Sequence, residues 1–481
     1  MAGPGDVEKL TTHTAEGFTF LSMLFGYDPA SKRYGKLNLT TWVEYLGKWG
    51  LSRALFVTML FVGMLAALSI EVPDLGTYSS QWLVGTSPIW LPIALLVGAW
   101  KVWMWYVRVY FISKQKHILL EMKIPREITR SPRAMELALT NLWTSSGETT
   151  LFHRWWRGGV RAYYSFELAS FGGQVHFYIW TRESDRNIVE SIVYAQYPEV
   201  ELIEVEDYAS KFRYDPEKHM AFSTDYRLDP RSDAFPIKTY LDYELDKDPK
   251  EEYKIDPLAY VLEFLSSIKP NEQIWVQIIL TLNKDKRRKK GTLQTEPLWE
   301  SLVHEEVEKI RETASLNPRK KDAPDDDPRK FGFPKPTWAE QEQMKSMERH
   351  LGKYPFSVGM RAIYIGDKSR FHSPTYVGMR WLWRPFANPQ YLNQLRPVRW
   401  SNTFDYPWQD FHRMRYKLHT RRFIDAFRRR SWFYTPWITP HNIMTAEAIA
   451  SLWHPPSSSV TAPGIVRIPA TKAEPPPNLP M

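Results

Sequence analysis

Hydrophobic and polar positions along this chain change their spacing several times, and each change predicts a different kind of element. The first pattern is a pair of nearly unbroken apolar runs. Ala54 to Ile70 carries no charge and is bounded by Arg53 and Glu71. With Leu51 and Val72 at its limits it approaches the roughly 20 residues that cross a hydrocarbon core at about 1.5 Å per residue. A second run extends from Ile89 to about Val107 and is interrupted by Lys101. That lysine can snorkel toward an interface furnished by Trp100, Trp103, Trp105 and Tyr106. Residues 51–112 therefore predict a two-helix transmembrane hairpin, preceded by an N-terminal segment over residues 1–50. Glu71 to Pro88 contains no Lys or Arg, whereas Lys32, Arg33, Lys36, Lys48 and Arg53 precede the hairpin and Arg108, Lys114, Lys116, Lys123, Arg126, Arg130 and Arg133 follow it. The positive-inside rule then puts both termini in the cytoplasm and the short loop outside, as a multi-pass membrane anchor. A first span this deep in the chain does not fit a cleaved signal peptide.

Past the hairpin, residues 113–130 read as a link, and Ser131-Pro132 as the start of a helix carrying Met135, Leu139 and Leu142 on one face. Tyr164, Phe166 and Leu168 alternate with polar or small residues. Gly172-Gly173 offers a tight turn, and Val175, Phe177 and Ile179 alternate again. Ser184-Asp185 begins a helix with Ile188, Ile192 and Ala195 on a shared face, and Val200, Leu202, Ile203 and Val205 form a further strand. Hairpin, helix and strand in this order make half of a ferredoxin-like sandwich. A weaker echo follows: Lys238 to Tyr243 as strand, a helix from Asp256-Pro257 to Ile268, and Trp275 to Leu282 as a buried strand. Residues 113–285 thus predict a cytoplasmic α+β domain of two related ferredoxin-like modules.

The pattern then loosens. Residues 286–336 read as a charged, flexible insertion holding a helix from about Pro297 to Ala314 and the Pro-rich stretch from Asn317 to Pro336. Residues 337–453 predict another α+β domain, with a helix over Trp338 to Leu351, a strand over Ser357 to Ile365, a basic helix over Gln409 to Arg430 and a short helix over Thr445 to Trp453. Residues 454–481, rich in Pro and Ser, predict an extended, unpacked tail.

Composition adds little until chemistry is sought. The net charge of +9 favours anionic partners, and the absence of Cys excludes disulfides and thiolate metal sites. No G-x-x-x-x-G-K-[ST] phosphate loop, H-E-x-x-H zinc motif or G-x-S-x-G elbow occurs. No catalytic, cofactor-binding or metal-ligating residue is therefore nominated. The acidic group Glu199, Glu201, Glu204, Glu206 and Asp207 has the spacing of a solvated strand face. Two basic clusters are candidates for holding phosphate. One comprises Lys284, Lys286, Arg287, Arg288, Lys289 and Lys290. The other comprises Arg413, Arg415, Lys417, Arg421, Arg422, Arg428, Arg429 and Arg430, set among Tyr416, Phe423, Phe427, Trp432 and Phe433. Cations interleaved with aromatics suit nucleic acid, an anionic leaflet or an acidic protein equally well.

Several blocks resemble a known family. Lys123 to Glu127 (KIPRE), Phe166 to Thr181 (FELASFGGQVHFYIWT) and Asn187 to Tyr208 (NIVESIVYAQYPEVELIEVEDY) are similar to the membrane-anchored N-terminal region of bacterial conjugation and type IV secretion ATPases. So are Ser451 to Pro456 (SLWHPP), Val460 to Ile465 (V-x-x-P-G-I) and Ala473 to Pro480 (AEPPPNLP). In that family the Pro-rich segment leads into a phosphate-loop motor; here the sequence stops at Met481, so that either the ATPase is encoded separately or the chain is a fragment of a longer one. The resemblance implies a non-catalytic, oligomeric inner-membrane scaffold. It would dock a separate hexameric ATPase through its tail and serve translocation of DNA or protein. The alternative is a stand-alone membrane-tethered nucleic-acid-binding protein.

Overall fold

The computed structural model describes residues 53–468 apart from 72–73, 127, 129, 144–149, 248–254, 290–291, 293, 315–334, 370, 402–407, 459 and 461; in the first 52 residues it describes only the paired two-residue strands Tyr27–Asp28 and Arg33–Tyr34. The chain divides into two units, residues 1–100 with 403–416 and residues 101–402 with 417–481.

Among its described residues the first unit is mostly helix. α1 covers Arg53–Glu71 and α2 covers Leu75–Lys114. Among the described residues one helix, over Gly76–Lys114, is long and apolar enough to cross a membrane. The apolar stretch of α1 among the described residues spans only Thr58–Leu68, so a second span does not emerge by length and composition. The expected external loop from Glu71 to Pro88 is mostly the first turns of α2. Its hydroxyls explain the difference, because Ser80 and Thr86 bond back to Thr77 O (2.9 Å) and Trp82 O (2.7 Å) within the helix. Pro88 removes the amide that would bond Val84 O, and Ser87 Oγ donates to that oxygen at 2.7 Å instead.

The second unit is built on one ten-stranded sheet. Its first half runs β1 (His117–Pro125), α3 (Pro132–Leu142), β2 (Tyr163–Phe171), β3 (Gln174–Arg182), α4 (Arg186–Gln196) and β4 (Glu201–Val205), with spatial order β4-β1-β3-β2, all antiparallel. The second half runs β5 (His219–Asp229), α5 (Leu258–Ser266) and β6 (Gln273–Leu282). A small hairpin of β7 (Lys286–Arg288) and β8 (Thr295–Pro297) and the helices α6 (Leu298–Thr313) and α7 (Trp338–Leu351) intervene. The half then closes with β9 (Pro355–Asp367), α8 (Ser373–Arg380) and β10 (Gln394–Val398), in the order β10-β5-β9-β6. Both halves therefore share one element order and one strand order. They join where β2 pairs antiparallel with β6, from Tyr163↔Thr281 to Phe171↔Gln273.

Several expectations are corrected. Residues 113–130 are no simple link, since they contain β1, an inner strand. Lys238 to Tyr243 is a turn, and the strand expected there is supplied by β5. Residues 337–453 are no separate domain, because β9 lies between β5 and β6. On α4 the buried side chains are Val189, Glu190 and Val193, while Ile188 and Ala195 are exposed and Ile192 is half-buried.

One sheet face, carrying Leu120, Phe166, Ile179, Ile278 and Met360, is covered by α3, α4, α5 and α10 (Ala446–Leu452). The other, carrying Leu119, Ala169, Trp180, Trp275, Ile279 and Ile363, is covered by Ile424 and Phe427 of the basic helix α9 (Met414–Arg428) and by Trp432. Thr420, Phe423, Ile424 and Phe427 recur at helical spacing, which is why a strongly basic helix still has a face to bury. β11 (Asn442–Thr445) extends the sheet by pairing with Pro355 to Val358 of β9.

The tail is also corrected for residues 454–468, which pack rather than extend freely. His454, Pro455, Pro456 and Val460 are buried. Val175 N donates to Gly464 O at 2.8 Å, and β12 (Arg467–Ile468) pairs in parallel with Ile124 and Pro125 of β1. The guanidinium of Arg467 ties this crossing down through the carbonyls of Arg126 (2.9 Å), Ser457 (2.9 Å) and Val460 (2.8 Å). The remainder of the predicted tail, with Ala473 to Pro480, lies outside the described residues.

Candidate functional site

Sheet register lines up an unusual row of side chains. Glu121 opposes Tyr178, Tyr178 opposes Glu167, Glu167 opposes Gln277, Gln277 opposes Arg361, and Arg361 opposes Asp225. Residues directly opposite on one face lie close enough to interact. The row therefore places a polar stripe across the middle of an otherwise apolar face, under α9 and the segment that follows it.

Arg430 descends onto this stripe. Its Nε and Nη2 donate to the Glu167 carboxylate (3.0 and 3.1 Å), and Nη1 and Nη2 to that of Asp207 (2.6 and 2.9 Å). The remaining Nη1 hydrogen goes to Arg428 O at 2.9 Å, so all five guanidinium donors are used. Glu167 is equally saturated: Ser165 (2.7 Å), Tyr208 (2.7 Å) and Gln277 (2.8 Å) also donate to it. Burial alone would pull the Arg430 pKa down, but the two carboxylates reverse this and raise it above the ordinary guanidinium value. Burial likewise opposes ionisation of Asp207, and Arg430 overrides it to hold that carboxyl below the usual range. A buried pair is tolerable only when satisfied in this way. At the far end of the row, burial pushes Asp225 up and draws Arg361 down to about 10. Arg361 is held by the Trp432 ring (4.5 Å) and by Ser431 O (2.8 Å), and Asp225 pairs with Arg399.

Beside Arg430 a cleft of about 800 Å³ opens between residues 109–119, Tyr163, Trp180, the Glu204 to Asp207 exit of β4 and the Arg428 to Pro436 segment. His117 lies flat on Trp180, with ring centroids 4.2 Å apart. Burial, then Arg182 and Arg430, lower its pKa to about 4, so it is neutral near pH 7. The cleft thus mixes cations and carboxylates whose charges are largely answered within the protein.

The predicted basic residues are not brought together. Arg287 is occupied by Glu296 (3.1 Å) and Glu305 (2.9 Å), and Lys284 lies over the Trp143 ring at 5.2 Å, while Lys286, Arg288 and Lys289 sit on the small β7–β8 hairpin and Lys290 is outside the described residues. In the second cluster Arg430 is corrected to a buried structural residue, and Arg428 donates to the carbonyls of Ala209 (3.2 Å) and Phe212 (2.6 Å). Lys417 pairs with Glu217 (2.9 Å), Arg429 with Asp425 (2.9 Å), and Arg422 covers the Trp437 ring (4.6 Å). Arg413, Arg415 and Arg421 are exposed, with Arg415 bonded to Gln409 O at 3.1 Å. Sequence reasoning missed Glu167, Gln277, Arg361 and Asp225. The available signal was a charged or amide residue at an inward position of an otherwise apolar strand, as in Trp275 to Leu282.

Among the described residues no group of three or more His, Asp or Glu side chains is placed to hold a metal ion. In the Arg430 cluster both carboxylates are paired with the same guanidinium. No family model matches the chain, and no curated protein matches it.

Proposed function

We propose that this protein is a non-catalytic, inner-membrane scaffold of a type IV secretion or conjugation-like machine, holding a separate phosphate-loop ATPase near the membrane during translocation of DNA or protein. The observation that carries this reading is the course of β1. That strand begins just after α2 ends, and the last described strand of the chain, β12, pairs with its far end. Tension on the tail is therefore borne by the strand that continues the apolar helix. The saturated Arg430–Glu167–Asp207 cradle supports the same reading, because it pins the segment after α9 to the middle of the sheet.

In this reading α1 and α2 both cross the bilayer with the termini in the cytoplasm, and each half of the sheet is a ferredoxin-like module. The shared β-α-β-β-α-β order and the matching strand orders support the last point. Oligomer contacts and motor docking fall to surfaces outside the sheet's seam. Tethering would raise the motor's local concentration without a strong single contact.

The test is a mild-detergent pull-down of the tagged full-length chain and of a chain ending at Ile468. A phosphate-loop ATPase recovered with the full chain and lost with the shorter one supports the scaffold. If the ATPase is absent from both and only nucleic acid, released by moderate salt, is recovered, the stand-alone nucleic-acid tether replaces it.

A further inference from the structure

Residues 151–158 form a feature that the scaffold reading does not use. They comprise a short helix, Leu151–Trp155, and the turn that follows it. This segment runs along the last turns of α2. His153 meets Phe111 edge-on with ring centroids 6.1 Å apart, and Trp155 O accepts from Trp103 Nε1 at 3.0 Å. Gly158 has φ +69, and a Cβ there would come within 2.2 Å of Val107 O. Trp103, Val107 and Phe111 are spaced by four, so the segment follows one face of the helix over about 12 Å. The docking leaves apolar side chains facing outward: Leu151, Phe152 and Trp156 are 58%, 59% and 56% exposed. Trp156 is fixed against Trp103 by an edge-on contact at 5.5 Å, and Arg157 lies over the Phe152 ring at 5.9 Å. Arg154 and Arg157 are the charged residues of this segment, and no Asp or Glu occurs between Leu151 and Arg161.

We propose that residues 151–157 are a membrane-interface foot, with Leu151, Phe152 and Trp156 entering the headgroup–acyl boundary of an anionic leaflet and the exposed Arg157 meeting lipid phosphate. The occupant is fixed by continuity. The segment is bound to the end of α2, a helix long and apolar enough to span a bilayer, at the level where Trp105, Tyr106 and Tyr110 are also exposed. Aromatic side chains prefer that level, and an apolar surface edged by cations suits an anionic interface. The foot would set the depth at which α2 stops and the orientation in which β1 leaves the membrane. The inference rests on α2 crossing the bilayer, which the same experiment tests separately.

The chain has no Cys, so a single introduced Cys is a unique labelling position. Full-length Phe152→Cys, Leu151→Cys, Val97→Cys and Leu137→Cys, each carrying an environment-sensitive fluorophore, would be reconstituted in phosphatidylcholine/phosphatidylglycerol nanodiscs. Quenching would be read with spin-labelled lipids and with aqueous iodide. Support requires that the labels at 152 and 151 lose about half their emission to a shallow lipid quencher and resist iodide, with the label at Leu137 showing the opposite. A quenched Val97 label beside iodide-accessible labels at 151 and 152 overturns the foot and leaves the spanning helix intact. A Val97 label accessible to iodide overturns both.

Discussion

Gln277 donates from Nε2 to Oε1 of Glu167 at 2.8 Å across the β2–β6 pair that joins the two halves of the sheet. The two residues are register partners, and each occupies the same place in its own half. Going outward, Tyr178 corresponds to Arg361 and Glu121 to Asp225, so the row is read identically from both ends in position but not in chemistry. An acid stands in one half where an amide stands in the other, and only the acid is met by Arg430. A second carboxylate at the seam would face the first across a fully buried strand pair, where every donor of Arg430 is already engaged. We therefore regard the Glu167–Gln277 asymmetry as the feature that lets one arginine neutralise the centre of the sheet.

Arg430→Met should lower stability by about 3–5 kcal/mol, because it leaves Glu167 and Asp207 without their shared cation in a buried setting. Arg430 also holds a left-handed backbone, φ +48, which its side-chain bonds help to maintain. Denaturant unfolding of the detergent-solubilised chain measures the loss. Adding Glu167→Leu to Arg430→Met should recover part of it. Equal or greater loss in the double variant would show that Glu167 is held by its other donors alone.

Acid should weaken the second unit in two stages. His117 titrates near 4 in the folded chain against an ordinary 6.5, so the unfolded chain binds its proton first as pH falls. The neutral ring's contribution is complete above about pH 6.5 and disappears as pH drops toward 4, amounting to at most about 3 kcal/mol. Asp207, whose folded pKa is depressed, contributes above its unfolded value and is lost only below that, at more acidic pH. His117→Phe keeps a ring against Trp180 and should flatten the dependence between pH 6.5 and 4. An unchanged slope would assign that window to another group.

How far the fold was legible depended on whether a strand could be recognised from its own residues. β2, β3 and β6 alternate or run apolar, and α6, α7 and α10 have clear periods, so their positions read directly. β1 did not, because HILLEMKIP carries Glu121 and Lys123 in the middle of a strand that is buried on both faces. Those charges are tolerated since Lys123 and His176 both meet Glu121, at 2.6 and 2.7 Å, a pairing invisible until β3 lies alongside. β5 was hidden for a similar reason, with Asp225 buried in its centre. The polar row itself was beyond local reasoning, since Glu167 and Gln277 are 110 positions apart and acquire meaning only through register. The tail misled by composition: proline and serine suggested free chain, whereas the Pro455–Pro456 pair is packed inside.

Gly359→Ala should unseat Trp432. A Cβ at this position of β9 would fall 2.2 Å from the indole, which lies directly on the bare backbone there. The same ring carries Arg361 at 4.5 Å, so displacing it exposes that guanidinium and loosens the cover over the polar row. A cost of about 1–3 kcal/mol is expected, together with a change in near-ultraviolet circular dichroism from the tryptophan. A spectrum identical to that of the parent chain would mean that β9 yields instead of the ring.

Gly464→Val tests whether the end of the described chain is truly sewn into the sheet. Gly464 passes so close to the β2–β3 turn that a Cβ would lie 2.0 Å from Gly173 O and 2.5 Å from Ser266 Oγ. Neither neighbour can withdraw easily, because Gly173 has φ +92 in a tight turn and Ser266 Oγ is bonded to Leu262 O at 2.7 Å. The valine should therefore break the Val175–Gly464 bond and free Arg467 and Ile468 from β1, while His454, anchored to Ala450 O (2.8 Å) and Asp256 (3.0 Å), stays in place. Limited proteolysis of the reconstituted chain should then cut between Ser457 and Ile468 at least about tenfold faster than in the parent, with thermal stability of the remaining sheet lowered by only about 1–3 kcal/mol. Cutting at the parent rate would show that the crossing is held by Arg467 and its carbonyls without help from the close glycine contact. A global loss of folding would instead make the crossing part of the cooperative core, and the tail and the membrane-proximal strand would then respond to load as one body.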